Sequence, residues 1–493
     1  MTEEPLDILR ISDLREAFTQ SDLPFQVDIV DWAGTSENFR KIIEKEHSVV
    51  QDKSKKQSAW PKFPLYKIID LIGGGTPKRN NPKYWNGDIP WLSVKDFNHD
   101  RRYVNTAQES ITEFGLANSS TKLLPQGHLI ISARGTIGAI SQLSQPMAFN
   151  QSCYGINANT NYATNDFLYY LIKYHIDNFK RISHGAVFDT ITRQTFQHID
   201  ISLPPLPEQH AISHILGTLD DKIELNRQMS EMLEAMAQAL FKSWFVDFDP
   251  VRAKMEGRWR RGESLPGLPA DLWDIFPDRL HNSQLGEVPE NWDIKALGEV
   301  TVGTRGRSYK STEIAEFNIA LVTLKSFNRG GGYQSEGLKP YTGPYKPEQV
   351  VEAGEVIVAC TDVTQNAEVI GRPAMVQPDS HYMKLVASLD TMIVRPSSDR
   401  IFNEFLYLLC GTSSFTNHTY SYTTGTTVLH LAKDAIPSFQ FVLPTHDIVL
   451  AFGKIAGNIY KKISYLGKEN NMLTELRNML LPKLVSGELR VHT

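Results

Sequence analysis

Asn165-Asp166-Phe167-Leu168-Tyr169 returns 238 residues later as Asn403-Glu404-Phe405-Leu406-Tyr407. From there the offset settles at 240: Gly185 matches Gly425, Leu203-Pro204 matches Leu443-Pro444, and Ile215-Leu216-Gly217 answers Ile455-Ala456-Gly457. Lys222-Ile223 likewise answers Lys462-Ile463. Upstream, Gly127-His128-Leu129-Ile130-Ile131 parallels Gly354-Glu355-Val356-Ile357-Val358, and Trp60-Pro61-Lys62-Phe63-Pro64 stands beside Pro289-Glu290-Asn291-Trp292. An ordered series of matches at one long period marks a duplication. The chain therefore reads as two copies of one unit, each a globular domain followed by a long helix.

The helices are the plainest elements. Ile212, Leu216, Leu219, Ile223, Asn226, Ser230, Leu233, Ala237, Leu240 and Trp244 follow one another at alternating spacings of four and three, the seam of a coiled coil. The offset gives a second seam of Phe452, Ala456, Ile459, Ile463, Leu466, Asn470, Leu473, Arg477, Leu480 and Leu484. Leu216, Leu219, Ile223, Leu233, Leu240, Ile459, Ile463, Leu466, Leu473 and Leu480 are the expected pairing and partner positions. Polar residues fall at matching seam places, Ser230 aligning with Asn470, and buried polar seam residues fix register and partner choice. The competing interpretation is two ordinary amphipathic helices in separate cores. A helix over 208–244 spans roughly 55 Å at 1.5 Å per residue, a length suited to a spacer.

The globular parts mix short apolar runs with turn signals such as Gly73-Gly74-Gly75 and Gly330-Gly331-Gly332. Both are predicted as α+β, with a largely antiparallel twisted sheet and a helix near 165–180 or 403–412. The boundaries are 60–206 and 285–445 for the globular domains, 207–246 and 446–493 for the helices, and 247–284 for a connector. Pro250, Arg252, Lys254, Arg258, Trp259, Arg260 and Arg261 in the connector can lie near a polyanion or form a solvated linker face.

Composition excludes several classes. Three cysteines, Cys153, Cys360 and Cys410, without a C-x-x-C pair argue against a disulfide framework or zinc site and fit a reducing cytoplasm. Glu3 and Glu4 occupy the place of a signal peptide's basic start, and no run of 18 apolar residues exists to span a membrane. The formal charge is −5, yet residues 1–50 carry 11 acidic and 5 basic residues, leaving 46 basic against 45 acidic in the rest. Phosphate neutralisation is local, so this balance permits nucleic-acid binding wherever the cations cluster.

Several blocks then carry a family resemblance. Gly74-Gly75-Thr76-Pro77, Asn81-Pro82-Lys83-Tyr84-Trp85, Gly87-Asp88-Ile89-Pro90-Trp91 with Lys95-Asp96, and Ile131-Ser132-Ala133-Arg134-Gly135-Thr136-Ile137-Gly138 resemble a Type I target-recognition domain. Leu203-Pro204-Pro205-Leu206-Pro207-Glu208-Gln209 is similar to the start of that family's central helix, and Phe241 to Arg252 to its end. Leu480 to Leu489 resembles another block of the family, so the likeness covers about residues 60–493. The chain thus resembles the specificity subunit of a Type I restriction-modification system. The second half departs from the pattern, with Thr361-Asp362-Val363-Thr364-Gln365 where the first has Arg134-Gly135-Thr136-Ile137-Gly138.

The resemblance implies a non-catalytic, cytoplasmic DNA-binding scaffold with no cofactor of its own. Two different readers would contact the two halves of an asymmetric, gapped duplex target. Two adenine methyltransferase subunits, which use S-adenosylmethionine, would dock along the helices, and a motor-nuclease subunit can join them.

The candidate DNA contacts in the first half are Thr76, Lys78, Arg79, Lys83, Lys95, Arg101, Arg102, Arg134, Ser183 and His184. Those in the second are Arg305, Arg307, Lys325, Arg329, Thr361, Ser421 and Tyr422. Lysines and arginines on a Gly/Pro/Asn-rich loop suit phosphate positioning, although a merely solvated loop has the same composition. Arg101 and Arg102 follow Asp96 and Asp100, so local ion pairs compete. The Arg134 fork can bind guanine O6 and N7, or equally a structural carboxylate. Asn81-Pro82-Lys83-Tyr84 is only superficially like an adenine-methyltransferase motif, because its second proline and a Gly-x-Gly cofactor loop are missing. No phosphate-binding Gly-x-x-x-x-Gly-Lys-Ser/Thr loop or nuclease cluster stands out.

Residues 1–51 lie outside the repeat. Asp13 to Phe18 and Ser21 to Trp32 resemble the end of a minimal nucleotidyltransferase domain, in which the position of Asp28 helps hold magnesium. That family's Gly-Ser turn and paired acidic residues are absent, which favours a remnant without catalysis. Two alternatives stand beside the main reading: a scaffold of the same fold that does not bind DNA, and a nucleotidyltransferase-related enzyme.

Overall fold

A computed structural model describes residues 60–134, 136–184, 190–363, 367–379 and 381–491, together with Glu37. Apart from Glu37, the nucleotidyltransferase-like segment lies outside the described residues. The chain divides into two compact units, Met1–Leu225 with Met472–Thr493, and Asn226–Asn471.

In the first unit, strands order as Ile69–Gly73, Cys153–Ala158, Leu129–Ser132, Ile140–Leu143 and Tyr103–Val104 in one sheet. A second sheet orders Glu109–Ile111, Trp85–Leu92, Met147–Phe149 and Leu123–Leu124. Leu129–Ser132 and Met147–Phe149 are buried throughout, so these short apolar runs are covered on both faces and show no alternation. The second unit repeats this plan. Thr301–Arg305, Thr391–Pro396, Val356–Ala359 and Pro373–Met375 form one sheet, and Lys339–Pro340, Ile319–Val322, Lys384–Ala387 and Val350–Val351 form the other. The matched glycines Gly127 and Gly354 precede equivalent strands with φ of +82° and +87°, a conformation that side chains disfavour.

Most strand pairs are antiparallel, as expected, but each second sheet contains a central parallel pair: Trp85–Leu92 with Met147–Phe149, and Ile319–Val322 with Lys384–Ala387. The expected helix near 165–180 runs over Asn165–His184. Its counterpart breaks into Asn403–Cys410 and Ser413–Ser421, because Thr412 leaves the helix and its hydroxyl caps Phe415 N at 3.3 Å. The connector packs on one side only, and its Arg258, Arg260 and Arg261 stay exposed. Asp249–Met255 is helical, and Val251, Ala253 and Trp259 join the second unit's core.

The two long helices are Leu206–Phe245 and His446–Ser486. None of the twenty seam positions is exposed. In the first unit Leu216, Leu473 and Leu484 are buried while Leu219, Ile223 and Leu480 are half-buried. In the second, Ile459 and Leu466 are buried and Leu233, Leu240 and Ile463 half-buried. The helices run antiparallel: Asn226 meets Asn470 at 3.0 Å, and farther on Phe241 stacks against Phe452 at 5.8 Å.

Candidate nucleic-acid interface

The first unit's glycine-rich loop is held from several sides. Trp91 Nε1 donates to Gly75 O at 3.0 Å, Trp85 Nε1 to Lys78 O at 3.2 Å, and Thr112 Oγ1 to Lys83 O at 2.7 Å. Asn81 Oδ1 accepts from Lys83 N at 3.1 Å, and Thr76 donates to Gln151. The backbone here is pressed onto its neighbour: a Cβ on Gly74 would lie 2.2 Å from Asn150 O. We expect Gly74→Ala to cost about 1–3 kcal/mol in urea unfolding, because backbone rather than a movable side chain stands in the way.

That scaffold presents exposed Lys78, Lys83 and Lys95. Arg79 lies over the Trp85 ring at 4.1 Å and pairs bidentately with Glu109, one bond at 3.0 Å. The hydrogen bond from Arg79 holds the Glu109 carboxyl below its ordinary range. Arg79 is exposed but already committed to a protein carboxylate. Arg101 is also exposed.

Arg102 corrects an expectation. It is 6% exposed, with Nε donating to Gln142 at 2.9 Å and Nη2 to Asp166 at 2.5 Å, so it braces the fold. A Cβ on Gly217 would lie 2.5 Å from Arg102 Nη1, so glycine on the long helix makes room for this brace. Arg134 is exposed, in the turn after Leu129–Ser132, where Ser132 Oγ accepts from Ala139 N at 2.9 Å. Ser183 and His184 end the helix Asn165–His184, and their side chains lie outside the described residues.

The second unit places its candidates differently. Arg305 is turned to backbone, donating to Leu389 O at 3.3 Å and Leu431 O at 3.1 Å. Thr361 is buried in a strand opposite His430. Both residues sit in the sheet region, Arg305 held by backbone carbonyls and Thr361 covered by its surroundings. Arg307 bridges Ser388, and Arg307 Nε and Ser388 Oγ are buried without a protein partner. Lys325 is exposed, and Arg329 is 74% exposed beside Glu368 at 3.2 Å. Ser421 and Tyr422 are exposed, the hydroxyl of Ser421 donating to His418 O at 2.6 Å. The departure from the first half's turn also has a structural reason. Buried Asp362 accepts from Val369 N at 2.7 Å and Ile370 N at 3.0 Å, clamping a longer loop.

Residue-by-residue reading missed the polar groups under these surfaces. Asp100, Tyr170, Lys173, Asp220 and Arg477 form one network in the first unit, and Lys173 donates to Asp100 at 2.6 Å. A cleft of about 370 Å³ beside it is lined by Arg102, Asp166, His210, His214, Thr218 and Asp221. A second cleft, about 540 Å³, is lined by Glu234, Lys242, Arg372, Tyr407, Thr412 and the Gly330–Gly332 loop. Among the described residues no group of His, Cys, Asp and Glu has the arrangement of a metal site. Burial pushes the Cys153 and Cys360 thiols up to about 12, far from nucleophilic thiolates.

Comparison with known proteins agrees with the family blocks. The family described as Type I restriction modification DNA specificity domain matches residues 57–235. The MjaIX Type I restriction enzyme specificity subunit of Methanocaldococcus jannaschii is 27% identical over 441 residues, 88% of this chain and 94% of its own length. The HindI specificity subunit of Haemophilus influenzae is 28% identical over 379 residues, 68% of this chain and 79% of its own. A different likeness covers 55 residues: 56% identity to a probable protein adenylyltransferase, MntA, of the same species, 11% of this chain and 48% of that protein. That short match agrees with a nucleotidyltransferase-like piece attached to a larger, unrelated body.

Proposed function

We infer that this chain, which belongs to the specificity subunits of Type I restriction-modification systems, chooses the DNA sequence on which its complex acts. The observation that carries this reading is the pairing of like topology with unlike surfaces. Both units hold two sheets of corresponding strand order, the first sheet having five strands in one unit and four in the other, yet one offers Lys78, Lys83, Lys95 and Arg134 and the other Lys325 and Arg329. Two readers that differ in this way suit an asymmetric target in two parts, with unread bases between them. We assign the readers to 60–206 and 285–445, and residues 1–51 to a remnant without a part in reading.

In this reading the chain itself does no chemistry and holds no cofactor. Two adenine methyltransferase subunits, supplied with S-adenosylmethionine, dock along the long helices, and a motor-nuclease subunit can join them. The complex works in the cytoplasm; among the described residues no helix is long and apolar enough to cross a membrane.

Binding to a duplex carrying the target, followed against salt, tests the assignment of cations. Lys78→Ala, Lys83→Ala and Lys95→Ala should each weaken matched and unmatched DNA alike and reduce the slope of log K against log salt by about 1. Arg134→Ala should instead cost about 1–3 kcal/mol on the matched target alone, relaxing choice at one base pair. Unchanged affinity and slope in all four variants would remove this face of the first unit from the interface.

A further inference from the structure

The polar residues of the helix seam are not interchangeable between the two halves. In the first unit Arg477, 2% exposed, donates from Nη1 to Asp220 Oδ1 at 2.7 Å and from Nη2 to Asp100. Tyr170 donates to the other oxygen of Asp220 at 2.6 Å. In the second unit Asn226, fully buried, donates to Glu469 Oε2 at 2.7 Å and to Asn470 Oδ1 at 3.0 Å. Farther along, Glu234 lies beside Tyr460 and Tyr407, where burial pushes its carboxyl up.

The 240-residue offset tells what would replace each group if a second copy of Leu206–Phe245 took the place of His446–Ser486. Arg477 would become Ala237, Asn470 would become Ser230, and Tyr460 would become Asp220. Asp220 would then lose its guanidinium, and Glu234 would face Asp220 of the other copy. Antiparallel pairing of identical helices repeats each contact, so four carboxylates would enter the seam without a new cation. Two copies of His446–Ser486 fail differently. Arg477 would meet Tyr460 of the other copy, and Asn470 would meet Leu466, which aligns with Asn226. A buried charge deprived of its partner is among the costliest defects a seam can hold.

We infer that the seam is a heterotypic lock: Asp220 and Asn226 on the first long helix pair with Arg477 and Asn470 on the second, Glu234 is set beside Tyr460, and both helices reject a like copy. The occupant of each helix face is therefore the unlike half of a specificity chain. Leucines at the apolar positions would serve either pairing; the polar set makes the choice.

The test uses the whole chain with a protease site inserted after exposed Gly262, so that cleavage leaves both long helices uncut. The cut protein is dissociated in urea, returned to buffer, and weighed by native mass spectrometry. Unlike pairs should exceed like pairs by about 100-fold or more, the bias expected from stranding buried charges. Asp220→Asn with Glu234→Gln should let pairs of first halves appear. Like and unlike pairs at random frequency in the unsubstituted protein would overturn the proposal. Should the cut halves not reassemble, the intact chain decides: Asp220→Asn and Arg477→Gln should be coupled about 10-fold or more in the unfolding constant. Additive effects would overturn the lock, while coupling of that size supports it.

Discussion

Arg477→Met should destabilise the folded chain by about 3–5 kcal/mol, far more than loss of a surface ion pair. The guanidinium is 2% exposed and holds the buried carboxylate of Asp220 at 2.7 Å, together with Asp100. Removing it strands the buried Asp220 side chain, to which the Tyr170 hydroxyl still donates at 2.6 Å. Replacing Asp220 as well, with leucine, should recover part of the loss, because an apolar pair no longer strands a charge. Acid should narrow the difference between Arg477→Met and the parent. Burial alone would push the Asp100 carboxyl up, but Lys173 and Arg477 outweigh it and hold it below its ordinary value. A carboxyl depressed in the folded state contributes stability above its unfolded pKa of about 3.9, and that contribution disappears as pH falls through the folded value. The variant has less of it to lose. Urea unfolding at neutral pH and again below about pH 4 measures both effects. A substitution that costs less than about 1 kcal/mol at neutral pH would mean the network is not holding the first unit together.

Trp244→Ala should cost about 3–5 kcal/mol, concentrated in the second unit. The indole is 1% exposed and packs edge-on against Phe276 at 5.1 Å and Phe452 at 5.6 Å. Phe245 and Phe405 extend the same cluster, with rings 5.1 Å apart. Truncation removes the centre of a set of aromatic contacts contributed by the first long helix, the connector and the second long helix. Hydrogen exchange should therefore report faster opening of the second unit's helices and sheets, with the first unit's Leu129–Ser132 strand less affected. Equal protection of both units in parent and variant would contradict this packing role.

Periodic and duplicated features were legible in the sequence because each is written locally. The alternation of four and three picked out seam positions that are all at least half-buried. The block around Gly127 and its counterpart at Gly354 gave two strands that lie in equivalent places of equivalent sheets. What stayed hidden depends on partners distant along the chain. In the sequence Arg477 is one cation among the seam's leucines, and only the folded chain brings Asp100, 377 residues away, to its guanidinium. Arg102 follows Asp96 and Asp100 in the sequence, whereas its carboxylate is Asp166, 64 residues away. The connector reads as basic and proline-rich, yet Trp259 and Val251 anchor it in the second unit. A composition-based reading sees the exposed arginines and not the two or three apolar side chains that decide the packing. Loop cations divide similarly: exposure separates Lys78 and Lys83 from Arg305, whose fork is turned to backbone carbonyls.

Modified-base sequencing of DNA from cells carrying this chain with the adenine methyltransferase subunit proposed to dock on it tests the choice of target most directly. The expected result is one asymmetric, gapped motif methylated at adenine on both strands, lost when the chain is omitted and altered at one half only when a single reader is exchanged. Methylation that persists without the chain, or the absence of any such motif from a soluble assembled complex, would contradict its role in choosing the sequence.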